Sequence, residues 1–330
     1  MEGKKYPAKT DVAVLILFFC RDEQFGKVFE AVKKARPSRL YLCQDGPREG
    51  RPDDLEGILR CREIADDRNI DWECEVHRWY REKNVGCDPS GFQAHKWLFS
   101  HEEMGIVLED DIVPAQAFFP FCKELLERYK DEPRINMICG MNLEDINRHA
   151  RDSYFFTRRG SIWGWASWKR VLDTWDGQYT WLDDPEKLEI LRKVWGKGNA
   201  EETFRIARER RASGKEYFET LNWAAIGLND SYDIVPKYNL TSNIGISQET
   251  THAMSDLRLL PKRTQKMFYK KTYEIDFPLK HPTEIKQDLA FEKRVTPTAF
   301  QLRCDQIERG LRALRYQGIG EAWRLLKKHL

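Results

Sequence analysis

The feature of this sequence that most constrains its fold is an alternation of short apolar runs with segments of helical spacing. Val12 to Phe19 and Arg39 to Cys43 are β-rich apolar runs, and residues 25–35 between them place apolar side chains at helical intervals. Strands that alternate with helices are typical of α/β proteins, in which helices cover a mainly parallel sheet. We therefore predict an α/β fold with a Rossmann-like central sheet. By the same criteria we predict further helices over 55–66, 92–101, 117–129, 186–194, 200–212 and 217–228, and strands over 72–77, 106–108, 135–139, 154–156 and 232–235.

Length and composition set the domain organisation. The chain has 330 residues, of which 41% are hydrophobic, and this is enough for one large α/β domain with an appendage. We place the domain at residues 1–265 and a helical appendage at 266–330. No stretch approaches the roughly 18–20 apolar residues that cross a membrane, and no apolar segment precedes Val12. The expected location is the cytoplasm of a bacterial cell.

Charge is distributed unevenly along the chain. Residues 261–330 carry 16 Lys/Arg against 8 Asp/Glu, whereas the rest carries 39 against 45. A basic amphipathic C-terminal segment suits peripheral contact with an anionic inner-membrane surface. Packing of this segment on its own domain, or on a second copy, is the alternative. Nucleic-acid binding has little support, because the basic residues cluster in the tail and no motif for it is present.

Three consecutive carboxylates are the strongest chemical signal. Glu109, Asp110 and Asp111 follow the apolar run of residues 105–108 directly. In open α/β sheets, ligands bind outside the carboxyl ends of the strands. Buried carboxylates need a counter-charge, and hard oxygen ligands suit Mg²⁺ or Mn²⁺ together with substrate phosphates. The pattern favours a metal–diphosphate site over an acidic loop that leads into the helix over 117–129.

Several further motifs resemble those of one family. They lie in order along most of residues 10–282: Val14 to Arg21 (VLILFFCR), Cys43-Gln44-Asp45, Val107 to Asp111 (VLEDD), Trp163-Gly164-Trp165, Asn239 to Gly245 with Thr251-His252, and Phe277 to Pro282 (FPLKHP). Together they resemble glycosyltransferases of the GT-A fold. In particular, the chain is similar to the inverting N-acetylglucosaminyltransferase I type and to bacterial haemolytic-protein-like enzymes.

The resemblance implies a function. It implies a metal-dependent inverting glycosyltransferase that uses Mn²⁺ or Mg²⁺ and a UDP-sugar donor. N-acetylglucosamine is the sugar that the family favours. The implied acceptor is a glycan or a lipid-linked oligosaccharide in surface polysaccharide synthesis. Neither the sugar nor the oligomeric state can be read from the sequence.

The resemblance also assigns site residues. It makes Asp111 the direct metal ligand, with His252 as a further metal or phosphate contact. Glu109 and Asp110 are implied to contact the ribose, the donor sugar or metal-bound water, and Arg21 and Asp45 to contact the nucleoside. The resemblance places Trp163, Gly164 and Trp165 beside the donor and acceptor. It places Asn243 and Ser247 on the diphosphate loop.

The general base has two candidates. Bacterial relatives carry a Trp-Asp pair at a helix start, and here the corresponding residue is Glu219, so that Glu replaces Asp. The competitor is the segment Trp181-Leu182-Asp183-Asp184, which resembles the Trp-Asp-Asp of the animal enzymes. An inverting transfer needs one carboxylate within hydrogen-bond reach of the acceptor hydroxyl. We prefer Glu219 to Asp183.

Two other classes of protein remain as alternatives. A nucleotidyltransferase would carry a Gly-rich, basic phosphate loop after the first strand, and residues 21–26 lack that character. A degenerate GT-A domain that binds glycans or acts as a scaffold would not need the acidic triplet. The intact Glu109-Asp110-Asp111 argues against this second alternative.

Overall fold

The computed structural model of the protein describes residues 5–246 and 256–320. The strands of this part are β1 (Thr10–Phe18), β2 (Pro37–Gln44), β3 (Glu75–Tyr80), β4 (Met104–Glu109), β5 (Ile112–Pro114), β6 (Ile135–Cys139), β7 (Tyr154–Thr157), β8 (Trp165–Trp168), β9 (Tyr232–Pro236) and β10 (Thr241–Asn243). The helices are α1 (Asp22–Ala35), α2 (Asp53–Ile64), α3 (Cys87–His101), α4 (Phe118–Arg128), α5 (Lys169–Leu172), α6 (Pro185–Trp195), α7 (Lys197–Ser213), α8 (Phe218–Leu228), α9 (Lys262–Gln265), α10 (Leu289–Val295) and α11 (Ala299–Gln317).

The central sheet is mainly parallel. Within the described residues it has eight strands in the order β3-β2-β1-β4-β8-β6-β9-β7, and β5 pairs separately with β10. The pairs β2–β3, β1–β2, β1–β4 and β6–β9 are parallel, whereas β8 runs antiparallel to β4 and β6, and β7 runs antiparallel to β9. With helices around this sheet and a C-terminal helical appendage, the predicted α/β fold class is confirmed.

The register of the parallel strands fixes where the site can form. Leu17 of β1 pairs with Cys43 of β2 on one side and with Glu109 of β4 on the other. The carboxyl ends of β1, β2 and β4 therefore lie at one edge of the sheet. The segments that follow these ends begin with Phe19, Asp45 and Asp110.

Burial explains why the first strands form where the sequence predicts them. Ala13, Val14, Leu15 and Ile16 of β1 are fully buried, as expected for a parallel strand covered on both faces. Helix α1 contributes Phe25, Val28 and Val32 to the same core. This packing holds the edge that carries the acidic residues.

The second half of the chain extends the same sheet and adds to the same core. Leu279 and Phe291, from the segment after residue 266, are buried in the main core, whereas α11 contributes only Ala313 as a buried side chain. No helix among the described residues has both the length and the apolar character to cross a membrane.

Candidate active site

The acidic triplet begins with Glu109, the last residue of β4, and continues with Asp110 and Asp111 in the turn to β5, where it meets the end of β1. Asp110 and Asp111 are buried. The Phe19 backbone N–H donates to Asp110 Oδ2 at 3.2 Å, and Arg21 Nη2 lies 3.1 Å from Asp111 Oδ2 and also pairs with Asp110 Oδ1. Two strand ends that are far apart in sequence thus meet through one guanidinium and two carboxylates, a pairing that the sequence analysis did not predict.

The charge at this edge is not balanced. Burial, together with the charges of Asp111 and Asp110, raises the pKa of Glu109 to about 8. Burial also raises the pKa of Asp110, although Arg21 opposes this shift. Asp111 Oδ1 is buried and has no hydrogen-bond partner among the described residues. Asp110 and Asp111 share the single positive charge of Arg21, and a cation bound here would also favour ionisation of Glu109.

This edge is not a closed metal cage. Among the described residues, no group of three or more His, Cys, Asp or Glu side chains is arranged to hold a metal ion alone. An open arrangement is what Mg²⁺ and Mn²⁺ sites use when substrate phosphates and water supply the remaining ligands. The donor set of Asp111 with its unpartnered oxygen fits such a partly formed site.

A short loop covers the triplet from one side. Strand β10 pairs antiparallel with β5, and the Ile244 N–H donates to the Asp111 carbonyl at 2.8 Å. The Asn243 side chain accepts from the Gly245 N–H at 2.8 Å, so Asn243 holds the turn of this loop. Ser247 and His252, which the sequence placed on the same loop, lie outside the described residues.

Gly245 has no room for a side chain, and this gives a prediction. An added Cβ would overlap Asp111 Oδ2 and would lie 3.1 Å from Arg21 Nη1. We expect Gly245→Ala to lower the free energy of unfolding by about 1–3 kcal/mol, the usual cost of overpacking. The measurement is the urea midpoint. Gly310→Ala is the matched control, because a Cβ there meets no atom within 4 Å and helical alanine is favoured. Equal midpoints for both variants would contradict the packing around Asp111.

Asp45 is buried directly after β2, and its carboxylate accepts hydrogen bonds from nearby backbone N–H groups. Its Oδ1 accepts from the Gly46 and Val85 N–H groups at 2.9 and 3.1 Å, and its Oδ2 accepts from the Gly86 N–H at 3.2 Å. Burial raises the pKa of this carboxyl, although the hydrogen bonds from these backbone donors lower it. In this structure Asp45 thus fixes the loop over residues 84–86 beside the acidic edge.

A cavity of about 400 Å³ lies between helix α8 and the segment over residues 158–163. Its lining includes Trp163, Trp195, Trp223, Glu219, Asn222 and Asp233. Glu219 belongs to the first turn of α8. The cavity is linked to the acidic edge through Trp163, whose carbonyl accepts from Thr241 Oγ1 at 2.8 Å, because Thr241 lies in β10, which pairs with β5. Burial and the nearby Asp88 raise the pKa of Glu219 itself, while Arg210, whose Nη1 lies 3.7 Å away, opposes them.

The competing carboxylates do not line this cavity. Asp183 is 69% exposed and pairs with Arg211 at 2.7 Å. Asp184 Oδ1 accepts from the backbone N–H groups of Glu186 and Lys187 and so caps helix α6. Both side chains already have local partners away from the cavity lining.

The Trp-Gly-Trp segment divides between the cavity and the core. Trp163 lines the cavity and packs against Phe268. Gly164 has a φ of +77°, and a Cβ there would lie 2.8 Å from Thr241 Cγ2. Trp165 is the first residue of β8 and is buried against His95, whereas Trp163 precedes the strand and is separated from it by the positive-φ residue Gly164. Of the two tryptophans, Trp163 is thus the one at the cavity.

Sequence reasoning missed a buried polar network at the cavity wall. Asn136 Nδ2 donates to Asp233 Oδ1 at 2.8 Å and to Asn222 Oδ1 at 3.0 Å. Burial raises the pKa of Asp233 to about 7, although Asn136 and the Gly160 N–H lower it. The signal that could have revealed it is a lone acid inside the apolar run of residues 232–236. This network connects α8, which carries Glu219, to strands β6 and β9.

Asp233 should give the protein a measurable pH dependence. Because its folded pKa is near 7 and its ordinary value is 3.8, the folded state holds a proton that the unfolded state loses. The contribution of Asp233 to the free energy of unfolding therefore falls as pH rises from about 4 to 7, and above that range it stays constant. We therefore expect the stability of Asp233→Asn relative to the wild type to improve between pH 5 and pH 8 in urea titrations. A difference that does not change with pH would contradict the raised pKa.

The comparisons with known proteins do not assign the chain to a family. No family model matches the chain, and no curated protein sequence matches it. Among solved structures, it is similar to UDP-glucose pyrophosphorylase complexed with UDP-glucose, at 9% identity and a TM-score of 0.30, over 50% of this chain and 78% of that chain. A likeness at this TM-score carries no conclusion about fold or activity.

Proposed function

We propose that this protein is a metal-dependent inverting glycosyltransferase of the GT-A type. In this proposal it moves a sugar, N-acetylglucosamine, from a UDP-sugar to a glycan or lipid-linked oligosaccharide. The observation that carries the proposal is that β10, which pairs with β5 beside Asp110 and Asp111, is also hydrogen-bonded to Trp163 of the cavity that holds Glu219. Transfer requires a diphosphate site close to an acceptor site, and in this proposal the acidic edge is the first and the cavity is the second.

The acidic edge supports the donor half of the proposal. Asp111, whose Oδ1 lacks a partner among the described residues, would hold Mn²⁺ or Mg²⁺. Glu109 and Asp110 would orient metal-bound water or the donor's hydroxyls, and His252 remains a proposed further ligand. When bound, the metal supplies Lewis-acid stabilisation of the charge on the departing diphosphate.

Residues around the triplet would bind the nucleotide. Arg21 carries the positive charge nearest the acidic edge and is about two-fifths exposed, so it can reach a phosphate or the nucleoside. Asp45 would frame the nucleoside through the loop it fixes over residues 84–86. Asn243 holds the turn of the loop over Asp111, and Ser247 is proposed to extend that loop to the diphosphate.

Glu219 supports the acceptor half. An acceptor hydroxyl is a weak nucleophile, and a carboxylate that takes its proton as the new bond forms accelerates the attack. A raised pKa makes the carboxylate a stronger base, and Arg210 at 3.7 Å offers it a counter-charge. Trp163 and Trp223 provide apolar walls on which a sugar ring can stack.

Product analysis tests the proposal and separates it from its alternatives. We would incubate the protein with Mn²⁺, UDP-N-acetylglucosamine and a mixture of oligosaccharide acceptors, and identify the nucleotide products by chromatography. A transferase releases UDP. A nucleotidyltransferase would instead form UTP and sugar 1-phosphate when pyrophosphate is added. Absence of any product across a panel of UDP-sugars and acceptors would contradict the proposal and favour a glycan-binding scaffold.

A further inference from the structure

Helix α11 turns its apolar side away from the protein. Phe300, Ile307, Leu311 and Leu314 recur at intervals of seven, four and three residues and therefore form one stripe. Their exposed fractions are 75%, 64%, 61% and 46%. A surface helix normally buries such a stripe against the core. We call these four residues the outer stripe of α11.

The opposite side of α11 contacts the body through polar groups and the buried Ala313. Asp305 pairs with Arg263, and the Lys262 N–H donates to Glu308 Oε2 at 3.2 Å. Arg312 Nη1 donates to the Arg258 carbonyl at 3.0 Å. The helix is thus oriented by hydrogen bonds and ion pairs, which hold the outer stripe towards solvent.

Charge around the outer stripe decides which occupant fits it. Arg303 and Arg315 are exposed and border the stripe on its two sides, as the helical repeat of 3.6 residues requires. The two acidic residues of α11, Asp305 and Glu308, are already paired with Arg263 and Arg312. The rim of the stripe is therefore cationic.

A second copy of the chain fits this surface poorly. A symmetric pairing of two α11 helices would bring arginine rims together, and the acids of the helix are already engaged on its other side. Like charges that face each other across an interface are unfavourable. An anionic lipid surface, in contrast, offers acyl chains to the stripe and phosphates to the rim.

We propose that the outer stripe of α11 docks this protein on an anionic lipid bilayer. The apolar side chains enter the boundary between headgroups and acyl chains, and Arg303 and Arg315 contact lipid phosphates. Helix α11 then lies in the plane of the interface, as amphipathic helices with a basic rim do. This docking is independent of the proposed transfer reaction, since it uses no residue of the acidic edge or the cavity.

Vesicle flotation of the full chain tests this proposal. We expect the protein to float with vesicles of phosphatidylcholine and phosphatidylglycerol but not with phosphatidylcholine alone, and to be released by salt. Ile307→Glu with Leu311→Glu, and separately Arg303→Glu with Arg315→Glu, should each weaken the partitioning by about tenfold or more. The matched control is Ile190→Glu on α6, an apolar residue that is also exposed and should float like the wild type.

The outcomes separate docking from its rivals. All variants alter exposed positions, so unchanged melting temperatures would show that they fold. Flotation that the two double variants leave intact would overturn the proposal, as would a wild type that does not float. A dimer in light scattering that Ile307→Glu with Leu311→Glu dissociates, without vesicle binding, would assign the stripe to a second copy instead. Nucleotide-sugar binding should be the same in all variants.

Discussion

Replacing Glu219 with Gln should reduce sugar transfer by about 100- to 10,000-fold, the range that general bases usually contribute. Glutamine keeps the size of the side chain but cannot accept the acceptor's proton. Glu219 lines the cavity at the start of α8 and lies outside the acidic edge, so the affinity for the UDP-sugar should not change. The measurements are kcat with saturating donor and the Kd of the donor by calorimetry.

Asp183→Asn provides the matched control. Asp183 is exposed and paired with Arg211, and we expect this variant to keep near-normal turnover. The reverse result, with Asp183→Asn inactive and Glu219→Gln active, would move the base to the Trp-Asp-Asp segment. Loss of donor affinity in Glu219→Gln would also contradict the account, because it would place Glu219 at the donor instead of the acceptor.

Asp111→Asn should abolish metal-dependent binding of the nucleotide sugar while leaving the protein folded. The change removes the charge of the carboxylate whose Oδ1 lacks a partner, and it relieves the repulsion that Asp111 exerts on Glu109. Loss of a metal ligand should cost at least the roughly 10- to 100-fold that outer-shell changes cost. In thermal denaturation, the variant should melt no lower than the wild type without ligand and should gain no stability from a UDP-sugar with Mn²⁺.

The control for Asp111→Asn is Asp173→Asn, an exposed acid that pairs with Lys169 on α5. This control should respond to ligand as the wild type does. A variant at Asp111 that still gains stability from metal and nucleotide would contradict its role as a ligand. Melting well below the wild type without ligand would show that the ion pair with Arg21 matters more than the repulsion from Glu109.

The parts of the fold that could be predicted are those with local signals. Strands β1, β2 and β4 lie where their apolar runs predicted, because both faces of these strands are buried. Strand β3 begins later than predicted, at Glu75, since the buried Trp72 belongs to a bridge with Tyr6 and donates to the Pro37 carbonyl. The sequence does not predict strand β8, because this strand forms by antiparallel pairing with β4 and β6, which are distant along the chain.

The candidate site also contains a part with local sequence signals and a part that depends on tertiary packing. The acidic triplet and Arg21 could be predicted to lie at one edge because parallel register places strand ends there, although their ion pairs were not predicted. The cavity could not be predicted, because it forms between α8 and a segment about sixty residues earlier in the chain. The surroundings of Asp45 and Trp165 also depend on tertiary packing, which gives Asp45 three backbone donors and places Trp165 in the core.

Thermal stabilisation by nucleotide sugars tests the central claim most directly. A ligand that binds the folded state alone raises the melting temperature by mass action. The account predicts that one UDP-sugar raises the melting temperature of the wild type with Mn²⁺, and that a chelator or Asp111→Asn removes the rise. No rise with any UDP-sugar, or a rise that survives both the chelator and Asp111→Asn, would contradict the proposed metal–diphosphate site.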